Sequence, residues 1–250
     1  MDILTSTTYS MRTLDCFSGI GGGILASRIL GHRICCAVET NPYCRNILVH
    51  HQNNGDLEPF PIWDNIESFN GRQWRGVIDL VQGGFPCQNI SAAGNKEGIT
   101  GKQSGLWKEM YRIVCEIRPQ YVFVENVRDL LVRGLGTVLG DLSGAGFNAQ
   151  WCVLSAAAIG AKHKRDRLWI LAKRRNVSDS FNVWSRWLLG QTEIQKDFWN
   201  RQQKDEPDVA CQCDGFPDRL DALRGFGNAQ VPLCAAMAFT LLYERLNHQK

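Results

Sequence analysis

Met11-Arg12-Thr13-Leu14-Asp15-Cys16-Phe17-Ser18-Gly19-Ile20-Gly21-Gly22-Gly23 decides how this chain folds. Met11–Cys16 reads as a strand, the glycines as a turn, and Ile24–Leu30 as a helix stopped by Gly31. Strand, glycine turn and helix N-terminus together make a loop suited to a nucleotide-containing cofactor, because backbone N–H groups converge there. The spacing is not Gly-x-Gly-x-x-Gly, since Ile stands at position 24, and a tight βα connection with no ligand gives the same pattern.

The next segments repeat the alternation of strand and helix. Arg33–Val38 is a second strand that ends on Glu39. An acidic residue about 20 positions past the first turn is placed to accept from ribose hydroxyls. The alternative is a helix-capping carboxylate, because Asn41-Pro42 starts the next helix, Pro42–His51. Its terminal His50 and His51 read as surface residues favoured by the helix dipole rather than as metal ligands. Pro61–Ile66 is a short third strand in which Asp64 either accepts from an adenine amino group or makes an Asx turn.

Gly76–Leu80 reads as a fourth strand and leads into Val81-Gln82-Gly83-Gly84-Phe85-Pro86-Cys87-Gln88-Asn89-Ile90-Ser91. Two glycines open a turn and Pro86 fixes the backbone before Cys87. That sets a thiol at the carboxyl end of a strand, where open α/β sheets keep their ligand sites. A lone Cys is otherwise a small buried hydrophobe; the glycines before it and the polar run behind it favour a held nucleophile. Ala92–Ser104 reads as a lid over the thiol, and Leu106–Ile117 as a helix stopped near Pro119.

Gln120–Val124 is an apolar strand ending in Glu125-Asn126-Val127, which brings a carboxylate to the same sheet edge. Desolvation there raises its pKa; the alternative is a helix N-terminal acid. Gly134–Gly146 is helical, and Ala149–Ser155 and Leu168–Ala172 close the sheet. Between those two strands, Lys162–Arg175 carries seven Lys/Arg against one Asp, which suits a phosphate backbone better than a solvated turn. Arg165 and Arg167 flank Asp166, an arrangement expected to turn one arginine inward and the other to solvent. Over 176–207, Trp184, Trp187, Phe198 and Trp199 stand among basic and amide residues, as in base stacking or a small satellite core. A final amphipathic helix spans Leu233–Leu246.

Composition limits the class. A chain of 250 residues, 44% hydrophobic and 21% charged, fills one large domain, and its net charge of +3 argues neither for nor against nucleic acid by itself. The first residues lack a basic and an apolar signal region, and no stretch approaches a membrane span of about 20 apolar residues. The ten cysteines then read as reduced thiols in a cytoplasm; Cys211-Gln212-Cys213 lacks two further clustered ligands, so no metal is expected.

Five stretches in order, Asp15–Gly22, Gly84–Gln88, Glu125–Val127, Arg165–Arg167 and Gly227-Asn228-Ala229-Gln230-Val231-Pro232, resemble the DNA (cytosine-5)-methyltransferases of compact bacterial and phage type. The likeness covers about 11–173 and 214–246. It implies an α/β, Rossmann-like methyltransferase fold with a mixed, mostly parallel sheet and helices on both faces. Residues 1–173 would be the catalytic domain, 174–213 a short target-recognition segment, and 214–250 a return to the catalytic domain.

By the same resemblance Cys87 is the nucleophile, Glu125 the acid that holds cytosine, and Arg165 and Arg167 complete the catalytic set. The implied cofactor is S-adenosylmethionine, held by Asp15, Phe17, Ser18, Gly19, Gly21, Gly22, Glu39, Thr40, Asp64, Asn65, Gly84, Pro86, Leu106 and Asn228. The implied partner is duplex DNA, met by a monomer, with a cognate restriction endonuclease acting separately. His163, Lys162 and Thr40 depart from the family, which usually has Gln, often Pro, and in many members an aromatic there. Transfer RNA as substrate, and a non-catalytic DNA-binding module on the same fold, are the rival readings.

Overall fold

The computed structural model describes residues 11–86, 105–161, 163–177 and 229–247. The elements in chain order are β1 (Arg12–Cys16), α1 (Gly22–Ile29), β2 (Arg33–Val38), α2 (Pro42–Asn53), β3 (Ile62–Trp63), β4 (Leu80–Gly83), α3 (Leu106–Ile117), β5 (Tyr121–Val127), α4 (Leu130–Arg133), α5 (Leu135–Gly144), β6 (Phe147–Ser155), β7 (Asp166–Arg174) and α6 (Pro232–Asn247). The seven strands form one sheet in the order β3-β2-β1-β4-β5-β7-β6. β7 alone runs against its neighbours; the pairs from β3 to β5 are parallel. This is the mixed, mostly parallel α/β sheet that the family resemblance implied.

Side-chain parity explains the two layers. Alternate residues of a strand point to opposite faces. Leu14, Cys16, Val81, Val122, Val124, Leu168 and Ile170 meet Trp107, Met110, Ile113, Val138 and Leu142 of α3 and α5 on one face. Leu80, Tyr121, Phe123, Trp169 and Leu171 meet Ala26 of α1 and the Cys234–Tyr243 stretch of α6 on the other. α3 is set by its burial pattern, with Trp107, Met110, Ile113, Val114 and Ile117 at helical spacing facing the sheet.

The third strand is only Ile62–Trp63 rather than Pro61–Ile66, and the fourth is displaced. The fourth strand runs Leu80–Gly83 rather than Gly76–Leu80. Gly76 has φ 79° and Val77 is exposed, so the β-branched run begins as a turn. The ladder starts where Leu80 can pair with Thr13 and Tyr121. As a result Gly83 belongs to the strand, and only Gly84 begins the loop.

Strand order reverses between β1 and β4, so the crossovers leaving them part company and open a crevice at the strands' carboxyl ends.

Candidate active site

The crevice holds a cavity of about 630 Å³, formed by the ends of β1, β2, β4, β5 and β7 and the segment before α6. Parity puts its polar groups on one face. Asp15, Gln82 and Glu125 all alternate with residues that face α3, so they lie on the α1–α6 side of the sheet. Glu125 is opposite Trp169 in the antiparallel pair, and Arg167 lies two residues along on the same face. That diagonal is within reach of a long side chain. Arg167 Nε lies 2.9 Å from Glu125 Oε1. Burial pushes the Glu125 carboxyl up; the nearby Arg167 and Arg165 pull it back only in part. Burial, and then the neighbouring Arg167 charge, lower Arg165.

Both arginines line the cavity. The expectation that one of them turns to solvent is therefore wrong: positions 165 and 167 share a parity. It is Asp166 that faces the other way, toward Arg128 at 3.6 Å and Lys164 at 4.0 Å. The basic run is not one patch either. β7 carries Arg167 to the carboxyl end of β5 and Lys173 to its amino end, opposite Tyr121. There Lys173 donates to Asn247 Oδ1 and Arg175 to the Ser143 carbonyl.

At the other end of the cavity, Asp15 is buried and lined up by Gln82, whose Nε2 donates to Asp15 Oδ2 at 2.5 Å and to the Gly23 carbonyl at 3.0 Å. Gln82 Oε1 accepts from Ser27 Oγ at 2.9 Å. Desolvation pushes the Asp15 carboxyl up to about 6, against the opposing hydrogen bonds from Gln82 and Ser18. Glu39 answers both readings of its role. Its Oε2 accepts from the Gly19 N–H at 2.6 Å and its Oε1 from the Asn41 N–H at 2.7 Å, so it ties the glycine turn to the start of α2. Asn41 itself caps α2 through Tyr43 N.

Two glycines make room. A Cβ at Gly22 would lie 2.3 Å from the Gln230 carbonyl oxygen, so the returning segment can cross the turn only because no side chain is there. A Cβ at Gly84 would lie 2.6 Å from Glu125 Oε2. Arg165 Nη2 donates to the Ala229 carbonyl at 2.6 Å and fastens that returning segment. Asn126 donates to the Phe85 carbonyl at 3.1 Å, which holds the backbone just before Pro86.

Of the residues singled out in the sequence, Asp15, Phe17, Ser18, Gly19, Glu39, Thr40, Asn65, Gly84, Pro86, Leu106, Glu125, Arg165 and Arg167 line this cavity. Gly21 and Gly22 shape the turn behind it. Asp64 is exposed and outside the lining, and Asn65 and Ile66 stand at the wall in its place. Cys87, Asn228, the Ala92–Ser104 stretch and the aromatic segment lie outside the described residues. Gln82, Asn126 and Gln230 were not singled out. Gln82 does break an otherwise apolar parallel strand, and a polar residue at such a position is the signal that marks it.

The model of the family described as C-5 cytosine-specific DNA methylase matches residues 11–212. The chain belongs to that family. Among relatives of this chain, the type II methyltransferase M.CviJI of Paramecium bursaria Chlorella virus IL3A is 30% identical over 168 residues, 67% of this chain and 44% of the viral protein. The type II methyltransferase M.HhaI of Haemophilus parahaemolyticus is 27% identical over 182 residues, 71% of this chain and 54% of its own. The chain thus spans about half the length of the curated relatives it matches. The fold of the chain also resembles that of an Entamoeba histolytica methyltransferase, EhMeth, with TM-score 0.65 at 15% identity over 96% of this chain and 100% of that one. The S. pombe Dnmt2 structure gives TM-score 0.54 at 22% identity, over 68% of this chain and 52% of that one.

Proposed function

We propose that this chain transfers a methyl group from S-adenosylmethionine to C5 of a cytosine flipped out of duplex DNA. The observation that carries this reading is the pair of buried Glu125 and half-buried Arg167 on the same cavity as Asp15 and Pro86. The chemistry of the cavity fits the cofactor. Among the described residues Asp15 has no cationic partner, and a buried carboxylate of that kind suits an amino acid's ammonium group. Glu39 keeps a second lone pair on each oxygen for ribose hydroxyls, and Asn65 and Ile66 offer a wall for the adenine.

The bound cofactor supplies an electrophilic methyl on a sulfonium. Cytosine C5 is a poor nucleophile until a thiolate adds at C6. Cys87, next in the chain after the cavity residue Pro86, is the proposed thiolate. Among the described residues, burial pushes Cys36 and Cys234 up to about 12 and Cys16 higher than its usual range, so none of these three is a ready thiolate. Glu125, holding its proton, donates to ring N3 and accepts from the exocyclic amine, so charge spreads as the sulfur adds. Arg167 steadies that carboxyl and takes the ring O2. C5 accepts the methyl, its proton leaves to a base through water, and the Cys87–C6 bond breaks to restore the thiolate. Extruding the base costs a few kcal/mol. Residues 174–213 are the proposed reader of the target sequence, and a separate endonuclease of matching specificity is the proposed partner.

Bisulfite sequencing of DNA from cells expressing the chain tests this. The reading expects protected cytosines in one short sequence context, lost in Cys87→Ser. Tritiated methyl incorporated into transfer RNA but not into duplex DNA would reject the DNA substrate, and full incorporation by Cys87→Ser would reject the nucleophile.

A further inference from the structure

Gln230 stands between the two halves of the cavity. At the cofactor turn, the position a Gly23 side chain would occupy is met by Asp15 Oδ2 at 2.7 Å, Gln230 Oε1 at 3.1 Å and Gln82 Nε2 at 3.3 Å. At the base-holding end, the position a Gly84 side chain would occupy is met by Glu125 Oε2 at 2.6 Å and Gln230 Nε2 at 3.3 Å. One side-chain amide therefore lies between the Asp15 group and the Glu125 carboxyl, its Oε1 on the first side and its Nε2 on the second. Its polarity is matched at both ends. The NH2 group faces a carboxylate oxygen. The carbonyl faces the Asp15 group, where both Gln82 N–H hydrogens are already committed to Asp15 and to the Gly23 carbonyl. The Gln230 carbonyl and Asp15 Oδ2 are thus two acceptors converging on one spot, which suits a donor from a ligand.

The backbone cannot slide away from this position. The Gln230 carbonyl lies against Gly22, and Arg165 holds the preceding Ala229 carbonyl. A ligand donor that draws the amide toward the cofactor end moves its NH2 group relative to Glu125 Oε2.

We propose that Gln230 is a positioning residue that couples occupancy of the methyl-donor end to the orientation of Glu125, and so to the grip on the extruded cytosine. This rests on the functional reading above. Linkage makes the coupling reciprocal: the donor tightens DNA and DNA tightens the donor by the same factor.

The experiment measures the dissociation constant of a duplex carrying the bisulfite-mapped site, with and without saturating S-adenosylhomocysteine. The intact chain should show tightening of about fivefold or more, and Gln230→Met, an apolar isostere, should bring this below about twofold while S-adenosylhomocysteine affinity falls by less than about tenfold, the loss of one hydrogen bond. Gln230→Glu keeps the shape and supplies a control for folding. Its coupling should be absent at alkaline pH, where carboxylate faces carboxylate, and should return on acidification as the new acid regains a donor. Wild-type coupling in Gln230→Met, or pH-independent coupling in Gln230→Glu, overturns the relay. Loss of S-adenosylhomocysteine binding by more than about tenfold in both variants also overturns it, because Gln230 would then be a simple ligand contact. An intact chain that does not bind S-adenosylhomocysteine removes the cavity reading itself, a result distinct from all of these.

Discussion

Glu125 is held in a way that serves chemistry more than stability. A carboxylate and a guanidinium taken together out of water lose hydration that their attraction only partly returns. The pair persists at the mouth of a cavity, 2.9 Å apart, with Glu125 8% exposed. Burial is the larger influence, so Glu125 keeps its proton above the ordinary glutamate range. The protonated form is the one that donates to ring N3. Glu125→Gln should therefore lower kcat by about 10² to 10³, the range for loss of one preorganised group, while cofactor affinity stays near its original value. Intact protein should lose activity on the alkaline side as Glu125 ionises, and the glutamine variant should lack that limb. Single-turnover methyl transfer across a pH series, beside equilibrium cofactor binding, measures both. An unchanged rate removes Glu125 from ring activation. At this scale the sequence was informative where one residue's chemistry is unusual for its place, as with Glu125 after four apolar residues. It was silent on Gln230, and marked Gln82 only as a polar break in an apolar strand, because a glutamine's partners depend on which strands become neighbours. It did not separate Asn65, which lines the cavity, from Asp64, which does not, since the two-residue strand β3 leaves no periodicity to set which side chain turns inward.

Elements were legible where periodicity is long and blurred where glycine or a β-branched run interrupts it. α3 and β5 came out of pattern alone. β4 did not, because Val77 and Ile78 look like strand residues but precede the pairing partners of β1 and β5. The closing helix α6 could be recognised, but not the approach of its leading segment to the first turn, which joins residues more than 200 positions apart. Gly22 tests that approach. Gly22→Ala presses a methyl onto the Gln230 backbone, not onto a yielding side-chain tip. It should cost about 1–3 kcal/mol and weaken cofactor binding as the segment moves. Gly140→Ala is the contrast. Gly140 sits inside α5 with nothing within 4 Å of an added Cβ, so alanine there should stabilise by about 0.5–1 kcal/mol through helix propensity. Urea midpoints of the two variants should move in opposite directions; a neutral Gly22→Ala would mean the crossing is not tight.

At the scale of the whole molecule, His32 and Asp15, both buried, set opposing pH slopes on stability, and Glu125, also raised by burial, adds to the Asp15 side. His32 follows α1, is 2% exposed, and packs edge-on against Phe239 of α6 with ring centroids 5.2 Å apart. Neither ring nitrogen has a hydrogen-bond partner, and burial lowers its pKa from 6.5 to about 3. Between those values the unfolded chain binds the extra proton, so stability falls as pH drops from about 6.5 toward 3, by roughly 5 kcal/mol at full extent. Asp15 acts the other way. Its folded pKa of about 6 lies above the ordinary 3.8, so the folded chain binds the extra proton between them. Stability is then lost as pH rises from about 3.8 to 6, by roughly 3 kcal/mol. In the ligand-free protein the two slopes largely cancel between about pH 4 and 6. Asp15→Asn should uncover the histidine: stability then climbs with pH through this window, and near pH 7.5 the variant exceeds the parent while losing cofactor affinity. His32→Leu should uncover the aspartate, with stability falling over the same window. Urea midpoints of parent and both variants at about pH 4.5, 6.0 and 7.5 read this directly, since the linear slope with denaturant is unaffected by single substitutions that leave the buried area alone. Parallel curves for parent and Asp15→Asn would show that the Asp15 carboxyl is not desolvated in the folded chain. Such a result would also withdraw the reason given for an ammonium group beside it, so stability and cofactor recognition at this end of the sheet stand on the same buried charge.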